Sequence, residues 1–172
     1  MRAAMGIDGL AGKVALVGEG GDLLGRSVAL ALAARGVSVV VTGRVERALG
    51  ETVGEIVSGG GKARHVVADP EREDAGAAVA RALDVFGGLD LVVATSGRSG
   101  LLRSAAPRVR EGGRLVAVGP PPAAGWPPVG KSVECVGLSL DAEVDAGVTA
   151  QLVVFVCSRA GRGLGGRTVV VR

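Results

Sequence analysis

The segment from Lys13 to Thr42 constrains the fold of this 172-residue chain more than any other. A short apolar run, Lys13 to Val17, breaks at the turn Gly18-Glu19-Gly20-Gly21-Asp22. Leu23 to Arg35 then carries Leu24, Val28, Leu30 and Leu32 at helical spacing and stops at Gly36. Val37 to Thr42 follows as a continuous β-branched run, the pattern of a strand buried on both faces. Strand, tight turn, helix and buried strand in that order predict a βαβ unit, with both strands parallel in one sheet.

The alternation continues down the chain. Val45 to Val57 reads as an amphipathic helix ended by Gly59-Gly60-Gly61, Ala63 to Ala68 as a third strand, and Glu71 to Phe86 as a helix. Leu89 to Ala94 reads as a fourth strand, Leu101 to Arg110 as a short helix and Arg114 to Val118 as a fifth strand. There the regularity fails. Gly119 to Gly130 is rich in proline, alanine and glycine, and its stretch Pro120 to Gly125 is low in complexity. Proline lacks the N–H that a helix interior or a central strand requires, so this segment is predicted as a loop. Lys131 to Leu140 fits either a short, poorly amphipathic helix or a strand, and Val133-Glu134-Cys135-Val136 favours the strand. Val148 to Ser158 then reads as a mostly buried helix and Arg167 to Val171 as a last strand. One domain spanning 1–172 is expected, since this length suits a single core.

Composition narrows the function classes. Hydrophobic residues make up 48%, but the apolar runs are strand-sized, well short of the roughly 18 residues of a membrane span. Met1 to Gly12 lacks a signal-peptide apolar region, so a cytoplasmic protein with no membrane partner is expected. A net charge of +3 and 2% aromatic residues argue against a nucleic-acid surface, which needs both a basic field and stacking platforms. The arginines do cluster, at Arg98, Arg103, Arg108, Arg110 and Arg114 and again at Arg159, Arg162, Arg167 and Arg172; a solvated face or a subunit contact is the expected role. Cys135 and Cys157 are too few for a disulfide framework and read as buried free thiols. His65 stands alone, so no metal site is expected.

Several segments together resemble the short-chain dehydrogenase/reductase family. Leu10-Ala11-Gly12-Lys13-Val14-Ala15-Leu16-Val17 is similar to its first strand, and Gly25-Arg26-Ser27 through Ala33-Ala34-Arg35-Gly36 to the helix after its phosphate loop. Val39-Val40-Val41-Thr42-Gly43-Arg44 resembles the second strand of NADP-preferring members. Val67-Ala68-Asp69, Phe86-Gly87-Gly88-Leu89-Asp90, Ser96-Gly97 and Gly113-Arg114-Leu115-Val116 continue the likeness, which resumes over Gln151 to Val171. The resemblance implies a three-layer, Rossmann-type doubly wound parallel sheet, truncated here in its C-terminal half.

It also implies an NADP(H) site, with Gly18, Gly20, Gly25, Arg44, Asp69 and Gly97 as the residues that would form it. Arg44 would pair with the ribose 2′-phosphate, and Asp69 matches an adenine-side aspartate. The glycines let backbone approach a pyrophosphate at a helix N-terminus. Aligned without gaps, however, the family pattern Gly-x-x-x-Gly-x-Gly falls on Glu19, Leu23 and Gly25, so only its last glycine is kept. A carboxylate about 4 Å from a phosphate charge costs about 4 kcal/mol at an effective dielectric of 20.

The catalytic set implied by the resemblance is Asn, Ser, Tyr and Lys, with the tyrosine as proton donor and the lysine lowering its pKa. This chain has no tyrosine and no asparagine. Gly119 and Pro120 stand in the serine positions, Pro127 in the tyrosine position, and Lys131 reads as a loop lysine. Trp126 has no accessible acid pKa and is expected to pack as an apolar plug or at an interface. No catalytic residue is therefore assigned. The expected role is a non-catalytic subunit that forms a homo- or hetero-oligomer with a subunit of this family through its C-terminal helix and strand. The alternative is a divergent NADP(H)-dependent oxidoreductase or NADP(H)-binding protein.

Overall fold

The computed structural model describes residues 8–69, 75–96, 100–120, 122, 124–130, 132–140 and 144–171. Its strands are β1 (Val14–Val17), β2 (Ser38–Gly43), β3 (Ala63–Val67), β4 (Leu91–Ala94), β5 (Arg114–Val118), β6 (Glu134–Leu140) and β7 (Thr168–Val171). Its helices are α1 (Leu23–Ala33), α2 (Glu46–Ser58), α3 (Ala75–Phe86), α4 (Gly100–Ala105) and α5 (Ala146–Cys157). The strands form one parallel sheet in the order β3-β2-β1-β4-β5-β6-β7, the doubly wound arrangement that the sequence predicted. Lys131–Leu140 resolves to the strand reading, with β6 paired to β5 and β7. The expected helix over Leu101–Arg110 is shorter than predicted: α4 ends at Ala105 and gives way to a 3₁₀ turn over Ala106–Arg108. Pro107 explains the break, because it removes the N–H that a further helical turn needs.

β1, β2, β4 and β5 are almost wholly buried, whereas the edge strand β3 is largely exposed, and alternate residues serve opposite faces. Ala15, Val17, Val39, Val41, Val93 and Val116 join a core shared with α1, α2 and α5. Val14, Leu16, Val40, Val92 and Leu115 join a second core with α3 and α4. On the first face, α1, with Gly25, Val28, Ala29 and Leu32 buried, lies against α5, which buries Ala150, Val153, Val154 and Val156. Small residues on α1 let the two helices approach closely. The first turn of α5 is capped by Asp145, whose carboxylate accepts from the Gly147 and Val148 N–H groups at 2.8 and 3.2 Å. No described helix is long and apolar enough to cross a membrane.

The C-terminal half depends on one buried arginine. Arg114, expected on a solvated or subunit-facing arginine cluster, is instead buried, with 5% of its side chain exposed. Its Nε donates to the Glu134 carboxylate at 2.9 Å, across the β5–β6 register pair. Its Nη1 donates to the carbonyls of Val156 and Ser158 at the end of α5. Those are last-turn carbonyls without intrahelical partners, at the negative end of the helix dipole, so a cation is the favoured group there. Arg114→Met is expected to lower stability by about 2–3 kcal/mol, because it removes the buried donors to Glu134 Oε2 and to the Val156 carbonyl. Glu134 Oε1 keeps the Gly163 N–H, and the Ser158 carbonyl keeps the Gly161 N–H. Adding Glu134→Leu is expected to recover part of the loss. Urea unfolding of the two variants checks this, and a single-variant loss below about 0.5 kcal/mol would refute the clamp.

Candidate functional site

The strand order reverses between β1 and β4, so their carboxyl ends flank the crevice in which open α/β sheets bind ligands. The turn after β1 is fixed on both sides of that crevice. Toward β4, the Gly18 N–H donates to the Val93 carbonyl at 2.9 Å, and the Thr95 hydroxyl donates to the Gly18 carbonyl at 2.9 Å. Toward β2, the Gly20 N–H donates to the Thr42 carbonyl at 3.0 Å, and the Thr52 hydroxyl of α2 donates to the Gly20 carbonyl at 2.8 Å. The Asp22 N–H closes the turn on the Glu19 carbonyl at 2.9 Å, and α1 begins at the next residue.

Glycine is required where backbones touch. A Cβ at Gly25 would lie 2.1 Å from the Glu19 carbonyl oxygen, so the first turn of α1 backs directly onto the loop. Glu19 itself has φ 50, the one positive φ of a non-glycine residue among the described residues. The left-handed region costs an L residue about 1–2 kcal/mol. The gapless alignment placed Glu19 at a glycine position, and its backbone takes the conformation that glycine would supply.

The half-buried Glu19 side chain runs along the end of β2. Its Oε2 lies 3.6 Å from where a Cβ of Gly43 would stand, an ordinary van der Waals separation, so the carboxylate runs beside the end of β2. Glu19, Gly21, Asp22, Gly43, Arg44 and Val45 line a cleft of about 130 Å³. Of the residues expected from sequence, Gly18, Gly20 and Gly25 form the buried frame of this site, and Arg44 stands exposed in its wall. Asp69 is half-buried just beyond β3, apart from the cleft lining, and Gly97 lies outside the described residues. Sequence reasoning missed Gly43; its signal was a glycine ending an otherwise β-branched strand. The α1 N-terminus is open to an anion, because the Asp22 side chain makes no capping hydrogen bond. Leu23 is 76% exposed there, turned outward rather than into the loop. The uncapped N-terminus of α1 is the feature that suits a pyrophosphate, while the adjoining cleft carries the carboxylates of Glu19 and Asp22 beside Arg44.

On the catalytic side, β5 runs into Gly119, at φ 111, and then Pro120. Among the described residues of 119–133 there is neither helix nor strand before β6. Trp126 and Val129 pack, partly buried, against the core of α3 and α4. Lys131 lies outside the described residues. No group of three or more His, Cys, Asp or Glu among the described residues could hold a metal ion.

Cys135 and Cys157 are buried free thiols, as expected. Burial raises the Cys135 pKa, and complete burial pushes Cys157 up to about 12 against the opposing pull of Arg114 and Lys13. A folded pKa above the unfolded value favours folding below the unfolded pKa of 9.0, and that contribution is lost as pH rises toward about 12. Both thiols should stay unmodified by an aromatic disulfide reagent at pH 8 in the native protein and react on denaturation; rapid native labelling of Cys157 would contradict its burial. Gly25→Ala is expected to cost more than about 2 kcal/mol, since backbone must shift, and urea unfolding within about 0.5 kcal/mol of the parent would disprove the close contact.

Residues 13–112 match the family model described as short chain dehydrogenase. Cyclohexanol dehydrogenase of Acinetobacter sp. (strain SE19) is 43% identical over 105 residues, which are 60% of this chain and 42% of that protein. Hydroxynaphthalene reductase-like protein Arp2 of Metarhizium guizhouense (strain ARSEF 977) is 42% identical over 90 residues, 51% of this chain and 34% of that one. The chain thus spans less than half the length of these relatives. Among solved structures, a short chain dehydrogenase from Burkholderia cenocepacia J2315 in complex with NADP superposes with a TM-score of 0.80 at 21% identity, over 94% of this chain and 97% of that one. A dehydrogenase/reductase from Sinorhizobium meliloti 1021 superposes equally well at 19% identity, over 94% of each chain, and both likenesses concern the fold alone.

Proposed function

Because this chain belongs to the short-chain dehydrogenase family, we propose that it serves as a non-catalytic subunit that assembles with a catalytically complete relative. The observation that carries this reading is the crossover from β5 to β6. Its described residues contain no helix to hold a Tyr-Lys pair, and the chain has no tyrosine at all. Trp126 and Val129 of this crossover pack, partly buried, against the core of α3 and α4, and neither carries a group able to give up a proton near neutral pH. Without a group of suitable pKa near the reacting oxygen, this chain supplies no general acid of its own.

The surface supports the assembly part of the reading. β7 is an edge strand, and α5 before it is apolar around most of its circumference. Phe155 and Val148 on α5 and Val170 on β7 are 48%, 53% and 56% exposed. Val148 and Phe155, seven residues apart on α5, leave an exposed apolar strip that suits an isologous or pseudo-symmetric contact. Val170 lies on the opposite face of the open sheet edge from the α5 core that Val169 joins.

A second reading, a nicotinamide-dinucleotide-binding protein or divergent oxidoreductase, draws on the cleft at the switch point. Gly20, Gly21 and the start of α1 would face the pyrophosphate, and the end of β2 the adenosine ribose; the bound cofactor would supply hydride chemistry. Arg44 taken alone favours NADP(H), and a Burkholderia cenocepacia J2315 short chain dehydrogenase of the same fold is in complex with NADP.

Co-expression with a full-length family member that carries Tyr and Lys tests the first reading. The expected result is a stable hetero-oligomer by size-exclusion chromatography, weakened at least about tenfold by Phe155→Glu, and no NAD(P)H oxidation by this chain alone. A chain that stays monomeric beside such relatives, or that turns over carbonyl substrates unaided, would rule it out.

A further inference from the structure

We propose that Glu19 sets the ligand class of the switch-point cleft, selecting an adenosine ribose with a free 2′-hydroxyl and rejecting one that bears a 2′-phosphate. The inference rests on the reading that this cleft holds a dinucleotide, and it reverses the preference that Arg44 alone would give.

Position comes first. The ribose next to adenine lies over the carboxyl end of the second strand in folds of this kind, and an acid reached about 20 residues beyond the glycine turn commonly binds its hydroxyls. Here that later position carries Arg44 rather than an acid. The carboxylate comes from the turn itself: Glu19 Oε2 reaches to 3.6 Å from the Cβ position of Gly43, directly before Arg44. The acid thus arrives at the same place in space from a different place in the sequence.

Charge then decides what the place accepts. The cleft wall carries two carboxylates, Glu19 and Asp22, against one guanidinium, Arg44. An unscreened phosphate charge about 4 Å from a carboxylate at an effective dielectric of 20 corresponds to about a thousandfold loss of affinity. Solvent reaches the exposed Asp22 and the half-buried Glu19, so a discrimination of at least about tenfold is the quantity to expect. A ribose hydroxyl meets the opposite situation, since it donates a charge-assisted hydrogen bond to the carboxylate.

Size and strain agree with a built site. The cleft, about 130 Å³, is smaller than the ~300–1,000 Å³ pockets that enclose whole small-molecule ligands, so it suits a single sugar. Glu19 also occupies a left-handed backbone position that glycine would take without cost, at φ 50. Observed strain of this kind is a pointer to function when it aims a polar group into a cleft.

Calorimetric titration of the chain with NAD+ and NADP+, repeated for Glu19→Gln and Glu19→Gly, tests the inference. The expected result is NAD+ binding at least about tenfold tighter than NADP+, a ratio that shrinks at high salt and falls to within about threefold in both variants as NADP+ gains affinity. NADP+ bound as tightly as NAD+ by the parent chain, or a ratio unchanged in the variants, overturns the role of Glu19 while leaving the dinucleotide reading intact. Binding that appears only in Glu19→Gly overturns it as well, because Glu19 would then exclude the sugar outright. No binding of either nucleotide by the parent or the variants at millimolar concentration defeats the dinucleotide reading and this inference together.

Discussion

Arg114 donates to the Glu134 carboxylate and to two carbonyls at the end of α5, so a single guanidinium fastens β5, β6 and α5 to one another. Among the described residues it is the one charged side chain that is fully buried. Such a group is tolerated only when its donors are used, and here the neighbouring strand takes Nε and the helix end takes Nη1. The arrangement matters because the link between β5 and β6 contributes no helix of its own among its described residues. Parallel neighbours normally hold together through a packed crossover helix. In this chain a polar clamp on one face and an apolar plug, Trp126, on the other stand in for that helix.

The two ends of the molecule are therefore built on different principles. Around β1, β2 and β4 the backbone does the work: glycines permit contact, and hydrogen bonds from Gly18 and Gly20 tie the turn to strands on either side. Around β5 and β6 side chains do it. The first end has the geometry of a ligand crevice, whereas the second is closed by a polar clamp and by loop side chains packed on the core.

The strand–helix alternation was legible because fully buried parallel strands read as unbroken β-branched runs, and Val37–Thr42 is the plainest case. The loop after Val118 was legible from its prolines. Arg114 was not, because an arginine at the start of a strand among other arginines has the statistics of a solvated residue. Its partner Glu134 lies across a register pair that no local pattern reveals. Glu19 stands out by its place in the glycine pattern, but the course of its side chain along the end of β2 and its left-handed dihedral do not. Both are properties of the assembled β1–β2 pair rather than of the turn. Pro107, visible in the sequence, was underweighted against the helical run around it.

The division of the sheet into two cores has a consequence for how such a chain tolerates loss. Alternate residues of each strand belong to separate packing units, one with α1, α2 and α5 and the other with α3 and α4. A deletion that strips a helix from one side leaves the contacts of the other side unchanged, because no side chain on a flat strand can serve both. Damage is confined to half of the layers, and a bulky indole can seal the gap. A doubly wound sheet can therefore shed its reaction chemistry on one side while the side that frames the crevice still folds as before.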